Sequence, residues 1–123
     1  MTPHTDPRPE ARVAAGWWAN KLAGGTGYHP LLQKRFTREQ ADRFAIALAM
    51  LINDRLSGEM WPDLALTIQV DYGLHPVLAD AARRAGLLVG MYDLPMRTAM
   101  RINAGRVTVS EGYRAPEEVV WTA

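Results

Sequence analysis

The residues best suited to chemistry crowd into the C-terminal third of the chain. Arg97 and Arg101 stand four apart in an alternating stretch, which places them about 13 Å apart on one side of a strand. Arg106 and Thr108 follow on a second alternating stretch, and Arg114 sits in a loop after Gly112-Tyr113. A guanidinium presents paired donors that match the oxygens of phosphate or carboxylate. Thr98 and Thr108 add hydroxyls, and Tyr92 and Tyr113 add flat faces on which a ring can stack. The expected ligand-binding set is therefore Arg97, Arg101, Arg106, Arg114, Thr98, Thr108, Tyr92 and Tyr113. The same arginines read equally well as a solvated sheet face paired with Glu111, Glu117 or Glu118.

No catalytic residue is assigned. The chain has no cysteine, and neither Ser57 nor Ser110 lies in a nucleophile-elbow context. His4, His29 and His75 are dispersed beside loops without paired ligand spacing, so neither a metal nor a cofactor is expected. Asp71-Tyr72-Gly73-Leu74-His75-Pro76 precedes a helix start, but it has one glycine and its proline removes a donor. It reads as a tight turn rather than a phosphate-binding loop. Asp42, Asp54 and Asp63 read as solvated or capping carboxylates, and Met91, Met96 and Met100 as core or as the lining of an adaptable pocket.

The totals set the frame. A chain of 123 residues, 48% apolar, suits one α+β domain over residues 7–123 behind a flexible N-terminal arm of residues 1–6. The formal charge of +1 argues against general nucleic-acid binding. The opening residues are polar and Pro-rich, unlike a signal peptide, and the longest apolar run, residues 45–52, is too short to cross a bilayer. A cytoplasmic protein without membrane association is expected.

Periodicity supplies the elements that must position these residues. A first helix is expected from Pro7 to Ala23, capped by Asp6 and ended by Gly24-Gly25. Val13, Ala14, Trp17, Trp18 and Leu22 form its apolar stripe. Adjacent tryptophans point about 100° apart on a helix, so they serve two neighbours, one of which could be a partner subunit. Thr37 and Gln40 fit a capping box for a second helix that ends at Ser57-Gly58. Its stripe of Ala41, Phe44, Ala45, Leu48, Leu51 and Ile52 is widened by Ile46, Ala47 and Met50, which points to a central helix or one shared within a homo-oligomer. A strand is expected over Leu64 to Tyr72, and a third helix from Pro76 to Ala85 with Gly86 closing it. Residues 87–94 read as a short strand or an extended loop. From Met96 a hairpin turns at Asn103-Ala104-Gly105, with Ile102 opposite Val107 and Met100 opposite Val109. Residues 119–121 suit either an edge strand or one helical turn. The sum is two N-terminal helices, a strand, a third helix and a C-terminal hairpin in a mostly antiparallel sheet.

Residues 64–114 also carry a resemblance. Asp71-Tyr72-Gly73, Leu78-Ala79-Asp80-Ala81, Leu94 to Met100, and Val107-Thr108-Val109 leading to Gly112-Tyr113 resemble small tailed-phage proteins, and loosely the Thoeris anti-defence sponges that sequester cyclic nucleotide signals. The resemblance implies a non-enzymatic homo-oligomer that holds a small phosphate-bearing nucleotide with arginines and aromatics. Leu94 stands where an aromatic would be expected before Pro95. One alternative is a phage inhibitor of a host defence protein, anti-CRISPR-like, with Trp17 and Trp18 as its contact. Another is a small nucleotide-processing enzyme.

Overall fold

A computed structural model of the chain describes residues 7–24, 36–57, 65–71, 73–90, 93–95, 97–112 and 114–123. Helix α1 spans Pro9–Gly24, starting two residues later than expected because Pro9, not Pro7, takes the first helical position. The first helical bond then runs from the Arg12 N–H to the Arg8 carbonyl, and the Arg8 N–H donates to Asn53 Oδ1 at 2.9 Å. Helix α2 spans Arg38–Leu56. Thr37 Oγ1 accepts from the Gln40 N–H, and Gln40 Oε1 accepts from the Thr37 N–H, which is the expected reciprocal cap. Helix α3 spans Pro76–Arg84. It ends in a Schellman turn, with Gly86 at φ 73° and the Leu87 N–H reaching back to the Ala82 carbonyl.

Among the described residues there are four strands: β1 Leu66–Val70, β2 Thr98–Asn103, β3 Arg106–Glu111 and β4 Glu118–Thr122. They form one antiparallel sheet in the order β1-β2-β3-β4. The expected α+β layout is the observed one. The hairpin register is also as expected, with Ile102 opposite Val107 and Met100 opposite Val109. Its turn is shorter, because Asn103 pairs with Arg106 and only Ala104-Gly105 lie outside the ladder. Residues 118–122 settle as an edge strand, bulged where β3 passes from Val107 to Thr108.

Alternation gives the sheet its inner face. Ile68, Val70, Met100, Ile102, Val107 and Val109 are buried there, and α1 lies over β2, β3 and β4. Trp18 and Leu22 of α1 join this core, while α2 packs against both α1 and α3. Polar ties seat the helix on the sheet. Glu10 accepts from the Gly105 N–H at 2.8 Å, and Lys21 pairs with Glu111 at 2.9 Å. The chain end joins the same turn, the Ala123 N–H donating to the Gly105 carbonyl.

Among the described residues, no helix is long and apolar enough to cross a membrane.

Two caps yield predictions. Replacing Thr37 with Ala removes an acceptor from the start of α2 and should destabilise the fold by about 1 kcal/mol in denaturant unfolding. His75 caps α3 through Nδ1, which accepts from the Val77 N–H at 3.1 Å. Burial, and then the Arg55 guanidinium, hold its pKa below the ordinary histidine value. The unfolded chain therefore takes up a proton at higher pH than the folded one. Stability should be complete above about pH 6.5 and decline as pH falls through the range below it. Thermal unfolding against pH should show this slope, and His75→Asn, which keeps an acceptor at the cap, should flatten it.

Candidate docking groove and polar pocket

The arginines expected on one basic face are spread along the length of the sheet. Arg97 precedes β2 and has a left-handed backbone, φ 55°, so it leaves the strand alternation that would align it with Arg101. Arg101 is exposed in mid-strand, opposite Thr67 on one side and Thr108 on the other. Arg106 lies at the hairpin end, between Asn103 and Thr122. Thr108 is 2% exposed, and its hydroxyl has no hydrogen-bond partner. Flanked by β2 and β4, it lies sealed in the sheet rather than open to a ligand. Thr98 falls on the inner side of β2 and is 1% exposed. Tyr92 and Tyr113 lie outside the described residues.

Instead, Arg97 meets Arg114 at the other end of the sheet. Both line a pocket of about 290 Å³ together with Gln69, Asp71, Thr98 and Ser110. Its base follows from the register, because Gln69, Ala99 and Ser110 form one rung across three strands and the small Ala99 leaves a hollow at the centre. Arg114 is also left-handed, φ 56°. Each such non-glycine residue carries a strain of order 1 kcal/mol or more. The two turns are joined, since the Gly112 N–H donates to the Arg97 carbonyl at 3.1 Å. Ser110 Oγ donates to the Ala115 carbonyl at 2.7 Å and fixes the loop that carries Arg114. The sequence marked Arg97 and Arg114 but not Gln69, Asp71 or Ser110. Strand alternation was the available signal for Gln69 and Ser110.

The second feature is apolar. Ile46 and Met50 of α2 are 65% and 55% exposed, one turn apart on the same side of the helix. They border a groove of about 360 Å³ between α1 and α2, floored by Ala15, Gly16, Ala45 and Ala49. Small residues make the groove, because they let another helix approach closely. Trp17 and Trp18 are not an exposed pair. Trp18 is wholly buried, with its indole N–H unpartnered, and Trp17 is half-buried. The two rings meet edge to face at 5.0 Å, and the Lys21 ammonium lies 5.1 Å from the Trp17 ring centre. A further hollow of about 690 Å³ runs along α3 and residues 86–90, and Arg83 lines it.

Comparison with known proteins places the fold. No family model matches the sequence, and no curated protein matches it. Among solved structures, the chain is similar to the BTG/Tob domain of C. elegans FOG-3, with a TM-score of 0.67 and 18% identity over 93% of this chain and 89% of that one. At that identity the likeness is one of fold. It overturns the function drawn from the phage resemblance: the architecture is shared with a BTG/Tob domain of a C. elegans protein, which points away from a phage anti-defence sponge for cyclic nucleotides.

Proposed function

We propose that the chain is a non-enzymatic protein-interaction domain that acts as a homo-oligomer, its copies meeting through the outer side of α2. The observation that carries this reading is the exposure of Ile46 and Met50 beside a groove of small side chains. Large apolar side chains grouped beside a groove mark a contact surface more than scattered ones do. A second copy suits this surface by charge. When two α2 helices pack antiparallel, Ile46 of one meets Met50 of the other across a two-fold axis. Arg43 and Asp54, both exposed and on the same side of α2, then flank that apolar centre, and Arg43 of each copy faces Asp54 of the other.

The non-enzymatic part is supported by what the polar side chains already do. Both serine hydroxyls donate to backbone carbonyls, Ser57 to Asn53 and Ser110 to Ala115. His75 accepts at a helix cap. Among the described residues none of these three side chains is hydrogen-bonded to another as nucleophile and base.

Sedimentation across a concentration series tests the reading. The wild type should dimerise, and Ile46→Glu with Met50→Glu should weaken the dimer more than about a hundredfold, as expected for two apolar side chains lost from an interface. Arg43→Glu should weaken it, and Arg43→Glu with Asp54→Arg should restore it. A wild type that stays monomeric at all concentrations, or a dimer indifferent to these substitutions, would overturn it.

A further inference from the structure

The pocket at the β1–β2–β3 end of the sheet is separate from the α2 surface, and it has its own chemistry. Among the described residues, only two non-glycine residues have a positive φ, and both are arginines lining this one pocket. Glycine would hold either turn without strain. The backbone geometry therefore does not call for arginine at either place; what arginine adds is a guanidinium at the pocket rim.

We propose that this pocket binds a single oxyanion group, a carboxylate or a phosphate monoester, between Arg97 and Arg114. Guanidinium forks match both groups. Ser110 and Gln69, on the rung that forms the base, supply further hydrogen-bonding atoms. Ala99 gives the room between them. The volume of about 290 Å³ suits one such group and a small carrier, since pockets for whole drug-sized ligands begin at about 300 Å³. Asp71 lines the same pocket. Its carboxylate opposes an anion, so it limits affinity and biases the group towards the arginine side. Arg101 and Arg106 do not line this pocket.

Amide NMR of the full chain at constant ionic strength tests this with three separate titrants: inorganic phosphate, acetate and chloride. Saturable shifts should appear at Ala99, Ser110 and Gly112 with phosphate or acetate, and the tighter of the two identifies the group. Arg97→Gly with Arg114→Gly keeps a backbone that accepts the left-handed turns, and its amide spectrum should remain that of the folded chain. Affinity should nonetheless fall about tenfold or more, as for a lost charged hydrogen bond. Ala99→Leu should abolish binding by filling the hollow, and Asp71→Asn should tighten it. Arg101→Ala should leave it unchanged. Shifts that chloride reproduces, no saturation with either oxyanion, or saturable binding unaltered in the double glycine variant would each overturn the proposal.

Discussion

Burial of the inner face of the central hairpin beneath α1 is the constraint on which the rest of the structure depends. Met100, Ile102, Val107 and Val109 are at most 3% exposed. Each buried apolar side chain of this kind is worth about 1.5–3 kcal/mol relative to exposure. A one-residue slip in the β2–β3 pairing would turn the inward set of one strand outward. The register therefore follows from the pattern of apolar residues, and everything attached to the hairpin inherits its position. Glu10 on Gly105 and Lys21 on Glu111 act at opposite ends of β3, so α1 is tied to both ends of the strand it covers.

That same register separates the arginines. Arg101 and Arg106 are carried outward on β2 and β3. Arg97 and Arg114 instead belong to the turns that enter β2 and leave β3, and antiparallel pairing brings those two turns to the same end of the sheet. The Gly112–Arg97 backbone bond is the closing link. The charged character of the stretch is thus divided between an open strand face and a bounded pocket. The pocket sets two of these cations, Arg97 and Arg114, within walls.

The helical layer has a different character. Trp18 is the largest buried side chain of α1, and its helix neighbours in the core are chiefly alanines. It does so with an unpartnered indole N–H, a desolvation cost of about 1–3 kcal/mol set against the large apolar area of its ring. Elsewhere on α2, Ile46 and Met50 border the groove beside α1 and remain in contact with solvent. One helix thus serves the core with Phe44, Leu48 and Ile52 and presents a second apolar stripe outward. The likeness to a BTG/Tob domain shows that this fold recurs at low identity, as expected when layer packing rather than particular side chains defines a fold.

Local patterns were enough to determine several parts of this protein. Thr37 and Gln40 specify the start of α2, and Gly86 the end of α3, through hydrogen bonds spanning only a few residues. The hairpin register was legible from alternation, because a period of two leaves one pairing that sets apolar against apolar. Other features depended on the tertiary structure. The left-handed turn at Arg97 ended the alternation that the sequence continues through it, since the chain turns there as it enters β2 between its two neighbours. Thr108 is buried between β2 and β4, the latter a strand whose pairing the ambiguous residues 119–121 do not specify on their own. Trp18 was consigned to the core and Ile46 to solvent although both stand in apolar helical stripes. Periodicity gives the direction of a side chain around its own axis; only packing decides whether another layer lies in that direction.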